Sequence, residues 1–272
     1  MIQERQTNIC VDQMHHRGET GVRMKNEREL LTVIVPCLDE EENLADTVAD
    51  ILSVAPNLDV EVEIWMVDDG STDNTAAIMA RLEREHAECR HVTNPHNMGI
   101  GATVLRCHEL IEPDSWITII PGDNEFVFAS IENHLEARER YDFILGYVQN
   151  IVIRPVKRRV ASAGFHKVMQ LLYGFHYKYL NGFLLYRARD VQGLEVTSSG
   201  HAFVPELLAK AQLRNPGLRI GEVPFLERGR SAGESKAIRP KSVIQALREV
   251  SRGYRSVSEY REEVVRRDDT GG

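Results

Sequence analysis

The chain has 272 residues, 42% of them hydrophobic and 7% aromatic, and 41 acidic against 33 basic side chains give a formal charge of −8. That apolar share is enough for a sizeable core and excludes a chain disordered throughout. The acidic balance excludes a dedicated nucleic-acid-binding domain, which needs a basic surface to neutralise phosphates.

Residues 1–28 are polar and mixed in charge, with His15 and His16 adjacent and no apolar stretch, and are expected to form a flexible tail rather than a signal peptide. The first strand is expected at Leu31–Val35, a β-branched run ending at Pro36. Asn43–Val54 repeats apolar residues at helical spacing. Val60–Val67 alternates as a second strand and runs into Asp68-Asp69-Gly70-Ser71. Thr72–Leu82 reads as a helix capped by Thr72 or Asp73, Arg90–Thr93 as a short strand, and Ala102–Leu110 as a helix after Gly99 and Gly101. Trp116–Ile120 is a fourth strand closed by Pro121-Gly122-Asp123. Strands alternating with helices across short polar turns predict βαβ units and a parallel sheet. The second half is less regular, with a strand at Leu218–Phe225 and one or two amphipathic helices in Pro240–Tyr260. No apolar run approaches the roughly 18 residues of a bilayer-crossing helix, so a cytoplasmic chain, peripheral to a membrane at most, is expected. The cysteines (Cys10, Cys37, Cys89 and Cys107) show neither CxxC nor regular spacing and read as ordinary thiols.

Open parallel sheets bind ligands at the carboxyl ends of their strands. Three acidic turns fall there: Asp39-Glu40, Asp68-Asp69 and Asp123-Asn124-Glu125. Carboxylates on one rim suit a hard cation such as Mg²⁺ or Mn²⁺, which binds through one or two carboxylates plus substrate phosphates. Asp123 and Glu125, two apart on a tight turn, point toward one ion, and Gly122 admits a diphosphate close to the backbone. A basic counterpart lies in Arg230-Ser-Ala-Gly-Glu-Ser-Lys236, where an arginine clamps and a lysine adds a point charge. Phe143–Arg189 holds no Asp or Glu but carries Arg154, Lys157, Arg158, Arg159, Lys167, Lys178, Arg187 and Arg189 among aromatics. Such a stretch suits a phosphate-bearing ligand or an anionic membrane surface, or is simply the solvated basic face of a core helix.

The segments Thr32-Val-Ile-Val-Pro-Cys-Leu-Asp-Glu-Glu-Glu-Asn43, Val67-Asp-Asp-Gly-Ser-Thr-Asp-Asn-Thr75, Asn97-Met-Gly-Ile-Gly-Ala102, Pro121-Gly-Asp-Asn-Glu125 and Glu222-Val-Pro-Phe through Lys236 occur in that order. With them the chain resembles the family 2 glycosyltransferases, in particular the dolichyl- or polyprenyl-phosphate mannose synthase branch. The resemblance implies the GT-A fold, a Rossmann-like, mostly parallel α/β sheet with helices on both faces, over residues 29–240, followed by C-terminal amphipathic helices and a tail (241–272). It implies a GDP- or UDP-sugar donor and Mg²⁺ or Mn²⁺. Pro36, Leu38 and Glu40 would line the nucleoside pocket, and Asp68 or Asp69 would hold the base or ribose. Gly99, Gly101 and Gly122 would border the donor, and Asp123 and Glu125 would hold the metal. Arg158 and Ser235 would contact the diphosphate or acceptor phosphate, while Asp123, Arg230 and Lys236 would carry catalysis.

The chain departs from the pattern at Pro121, in place of the first aspartate of D-x-D, at Asp39, in place of the usual asparagine, and at Tyr147, in place of an arginine. The expected reaction is inverting transfer to a polyprenyl phosphate. The alternative acceptor is a hydroxyl of a soluble sugar, glycan or secondary metabolite, for which His201 or Glu206 would be the base. A third reading, prompted by Pro121, is an inactive donor-binding or scaffold subunit.

Overall fold

The structure, a computed structural model, describes residues 28–200, 202–228 and 240–270, with side chains from 248 to 267 in the last segment. A seven-stranded sheet is formed by β1 (Leu30–Cys37), β2 (Glu61–Asp68), β3 (Cys89–Thr93), β4 (Trp116–Ile119), β5 (Phe143–Val148), β6 (Leu184–Arg187) and β7 (Ile220–Phe225), in the order β3-β2-β1-β4-β6-β5-β7. The helices are α1 (Leu44–Val54), α2 (Thr75–Glu85), α3 (Ile100–His108), α4 (Ile131–Ala137), α5 (Val156–Tyr173), α6 (Phe203–Arg214) and α7 (Pro240–Thr270).

Period-two alternation places the core on both faces of the sheet. Leu31, Val33 and Val35 of β1 meet Leu44, Val48 and Ile51 of α1 and Met79 of α2 on one face. Ile34, Trp65 and Val67 meet Val104 of α3, Leu207 and Leu208 of α6 and Val250 and Val257 of α7 on the other. Each such side chain, fully buried, contributes about 1.5–3 kcal/mol, so the two apolar layers fix which way each strand faces.

β1, β2, β3 and β4 are parallel, as expected, with Cys37 beside Asp68 and Ile34 beside Ile119. The sheet is mostly parallel, as the resemblance implies, with the exception of β6, which runs antiparallel to both β4 and β5. The chain enters β6 at the carboxyl end of β5, where Gly182 lies so close to Gly146 O that a Cβ would collide. It therefore runs back down the sheet. α2 also starts later than expected: Asn74 is its N-cap residue, and Asp73 accepts from Thr75 N at 2.9 Å. The C-terminal segment is one helix of 31 residues. Among the described residues no helix is long and apolar enough to cross a membrane.

The order of strands reverses at β1: the chain builds outward through β2 and β3, then returns to place β4 on the other side of β1. A crevice opens at such a switch point, beyond the carboxyl ends of the two diverging strands. The turns after β1, β2 and β4 border it.

Candidate active site

The turns after β1 and β2 are laced together. Asp39, at φ +55°, accepts through Oδ1 from Thr72 N at 2.8 Å, and its own N–H donates to Ser71 Oγ at 3.0 Å. Glu40 N donates to Thr75 Oγ1 at 2.9 Å, and Glu41 accepts from Asn74 N at 3.0 Å. Much of this acidity therefore satisfies the orphan N–H groups that precede α2. Pro36 is buried within β1, while Leu38 and Glu40 are half-buried at the rim. Beneath them the Cys37 thiol is pushed well above its ordinary range, by burial first and then by Glu40, Asp68, Asp123 and Asp73. One buried sulfur thus feels carboxylates from all three turns, so the rim anticipated from sequence is assembled.

Asp68 and Asp69 divide the work. Asp68 accepts from Ser71 N at 2.9 Å and closes its own turn. Asp69 is buried and accepts from Met98 N at 2.8 Å, Gly99 N at 2.9 Å and Asn94 Nδ2 at 3.0 Å. Its carboxylate is a clamp on the turn that begins α3. Gly99 holds φ +84° there, and a Cβ on Gly101 would lie 2.5 Å from Ser198 O. Both glycines let the 198–199 backbone pack on the start of α3, so contacts within the protein account for them. Gly122 is similar: a Cβ would lie 2.5 Å from Cys37 Sγ. The glycine brings the Asp123 turn down onto the end of β1.

Asp123 is half-buried on that turn, and Asn124 follows at φ +54°. Asp123 Oδ1 accepts from Glu125 N at 3.2 Å. Glu125 is buried, and Arg158 Nη2 of α5 donates to its Oε2 at 2.7 Å. Burial works against the Arg158 charge, but the Glu125 hydrogen bond and charge outweigh it and raise the pKa. Of the two carboxylates expected to hold a metal, Glu125 is thus engaged by a guanidinium. Among the described residues no group of three or more His, Cys, Asp or Glu gathers to cage a metal. The donor set fits an Mg²⁺ or Mn²⁺ held by Asp123 and completed by diphosphate oxygens and water, the usual habit of these ions.

Arg228, Asp50 and Glu227, which sequence reading missed, help to hold this turn in place. Arg228 grips Asp50 through two bonds of 2.6 and 3.0 Å, donates to Phe126 O at 2.7 Å and Asn124 Oδ1 at 3.1 Å, and its N–H reaches Glu125 O at 2.6 Å. Glu227 is buried against Arg154, whose Nε donates to Oε2 at 2.6 Å, and Arg154 Nη1 donates to Tyr179 OH at 2.8 Å. The Glu227–Arg154 and Arg228–Asp50 pairs join positions 73 and 178 residues apart, which no local pattern signals. They tie 226–228 to the Asp123 turn, directly before the Arg230–Lys236 segment. Arg230, Ser235, Lys236 and His201 lie outside the described residues.

Glu206, the other candidate base, is fully buried on α6. Its oxygens accept from Thr197 N at 2.9 Å, Ser198 N at 3.0 Å and Ser198 Oγ at 2.7 Å, and Lys210 Nζ stands 3.4 Å away. A carboxylate so committed anchors the 197–198 strap and is not a base open to a substrate. This overturns the base reading for Glu206.

The model of the family described as "Glycosyl transferase family 2" matches residues 32–197, which carry the acidic rim and Arg158. The chain belongs to glycosyl transferase family 2. It is similar to the dolichol-phosphate mannosyltransferase of Saccharomyces cerevisiae, 25% identical over 82% of this chain and 86% of the relative. It is likewise similar to the polyprenol monophosphomannose synthase of Mycolicibacterium smegmatis, 27% identical over 80% and 84%. Among solved structures, glucosyl-3-phosphoglycerate synthase from Mycobacterium tuberculosis, in complex with Mn²⁺, UDP and glucosyl-3-phosphoglycerate, superposes with a TM-score of 0.59 at 18% identity, covering 85% of this chain and 80% of that one. The fold is therefore GT-A, and the chain is a glycosyltransferase.

Proposed function

We propose that this transferase moves a sugar from a nucleoside diphosphate to a polyprenyl phosphate, with inversion at the anomeric carbon. The names of both relatives described above join mannose to dolichol phosphate or to a polyprenol monophosphate. The observation that supports the reading is the link from the Asp123 turn through Glu125 to Arg158, which sets a carboxylate that would hold a metal near a cation that would meet a phosphate.

In this reading Asp123 would hold Mg²⁺ or Mn²⁺, and the ion would supply neutralisation of the charge that develops on the leaving diphosphate. Asp68, Leu38 and Glu40 border the nucleoside. Arg158 turns from Glu125 to the acceptor phosphate and aims one of its oxygens at the anomeric carbon. The bond from that carbon to the diphosphate breaks as the bond to the acceptor oxygen forms. Arg230 and Lys236 meet the departing diphosphate. The acceptor oxygen is already anionic, so no base is needed, which agrees with the commitment of Glu206 to Thr197 and Ser198.

The test is to incubate the full chain with radiolabelled GDP-mannose, UDP-glucose or UDP-galactose and a short polyprenyl phosphate, with Mn²⁺ or with chelator. Metal-dependent label in the organic phase is expected from one donor. Label passing only to water-soluble hydroxyl acceptors would replace the lipid-phosphate reading. Donor binding without any transfer would favour a donor-binding subunit.

A further inference from the structure

The Asp123 turn is held at both ends by α1. At its entry, Thr47 Oγ1 donates to Gly122 O at 3.1 Å, and Gly122 N donates to Pro36 O at 3.2 Å. At its exit, Asp50 accepts from Phe128 N at 2.9 Å and from the Arg228 guanidinium at 2.6 and 3.0 Å. Thr47 and Asp50 are three residues apart and so share one face of the helix. On the other side, residues 226–228 run antiparallel to 125–127. Arg228 N donates to Glu125 O at 2.6 Å, Val127 N donates to Leu226 O at 3.0 Å, and Phe126 bridges Glu227.

An arginine beside a diphosphate crevice invites a phosphate-binding role, but the bonding of Arg228 gives it another. Its two terminal nitrogens donate to Asp50, Asn124 Oδ1 and Phe126 O, and the Asp50 carboxylate offsets its charge. A guanidinium so committed serves the protein and not a ligand. What it holds is unusual. Asn124 has φ +54°, a left-handed conformation that persists in a non-glycine residue where the surroundings fix it. Arg228 fixes it twice, through the Asn124 side chain and through the Glu125 carbonyl. The Glu125 N–H, on the same peptide as the Asn124 carbonyl, donates to Asp123 Oδ1 at 3.2 Å. The backbone at Asn124 therefore sets where the Asp123 carboxylate points.

We propose that Arg228, braced by Asp50, is a positioning residue for the metal-holding carboxylate. It keeps Asn124 left-handed and so keeps Asp123 aimed at the ion it would hold, and it acts through Asp123 without touching metal or diphosphate. This inference rests on the reading of Asp123 as the metal carboxylate and is independent of which acceptor the enzyme uses.

The experiment is calorimetric titration of the full chain with GDP and with UDP, each in Mn²⁺ and in chelator. Arg228→Met is expected to weaken the Mn²⁺-dependent binding about tenfold, because strain at Asn124 then opposes each binding event. Binding in chelator should match the parent chain. Asn124→Ala should behave alike, and the two together should lose no more than the larger single loss, since both break one device. Arg138→Met serves as the control for lost stability. It breaks the ion pairs to Glu29 and Asp59 at the opposite end of the sheet, and should melt lower yet bind Mn²⁺ and nucleotide as the parent does. The proposal is overturned if Arg228→Met melts lower but keeps its Mn²⁺-dependent binding, or if the two single losses add. It is also overturned if Arg228→Met loses as much in chelator, which would make Arg228 a phosphate contact. Asp123→Asn separates the two readings. If it retains Mn²⁺-dependent binding, the metal reading of Asp123 has failed. If it loses that binding while Arg228→Met keeps it, the metal reading stands and only the positioning role is lost.

Discussion

Asp69→Asn separates a clamp from a ligand contact. The Asp69 carboxylate accepts Met98 N and Asn94 Nδ2 on Oδ1 and Gly99 N on Oδ2. An asparagine that keeps its carbonyl in the Oδ1 position turns its amide N–H₂ on Gly99 N, donor against donor; flipped, it loses two bonds instead of one. Losing a hydrogen bond to a charged group costs about 1.5–3 kcal/mol. The surviving bonds also fall from charge-assisted to neutral strength, roughly half. The sum is about 3 kcal/mol, which for a chain of this size lowers Tm by roughly 6–12 °C. Asp68→Asn, by contrast, retains a carbonyl for Ser71 N and should cost at most about 1 kcal/mol, while weakening nucleotide binding. Urea unfolding of both variants is the assay, with a lower midpoint at unchanged slope expected for Asp69→Asn. If Asp69→Asn unfolds with the parent chain but loses nucleotide binding, Asp69 is a ligand residue and the clamp assignment is wrong.

Asp123→Asn should abolish Mn²⁺-dependent binding of nucleoside diphosphate in calorimetric titration and leave the melting curve nearly unchanged; retained binding would remove Asp123 from the metal site. Glu206→Gln sets an amide against Ser198 N and breaks the Lys210 pair, for an expected loss of about 2–4 kcal/mol in urea unfolding, with no change in the pH profile of any remaining transfer. Burial lowers His108 to about 3 and His134 to about 4 from an ordinary 6.5. The unfolded chain then binds the extra protons, so stability is full above about pH 6.5 and declines below it, by roughly 3 kcal/mol for the pair between pH 6.5 and 5. Urea midpoints at the two pH values should fall accordingly, and less so in His134→Gln.

The first half of the fold is written locally. Leu31–Val35 and Val60–Val67 carry their strand identity in β-branched alternation, and Asp-Asp-Gly-Ser and Pro-Gly-Asp mark the strand ends. With short connections, right-handed βαβ crossovers leave little choice but to collect those turns on one rim. The rim around Cys37, the placement of Asp123 and the family were therefore legible in the sequence. Tertiary structure alone decided what the individual carboxylates do. Asp68 and Asp69 are adjacent and chemically identical, yet one closes a turn and the other binds Met98 and Gly99, some thirty residues away. Glu206 reads as the polar side of a helix until Thr197 and Ser198 fold over it. The antiparallel β6, the Arg228–Asp50 grip and the Arg158–Glu125 bridge likewise rest on contacts between distant segments. Local patterning reports which side of an element is apolar. The partner of a buried charge is set by where the whole chain brings its opposite, and a low-dielectric interior makes that pairing obligatory.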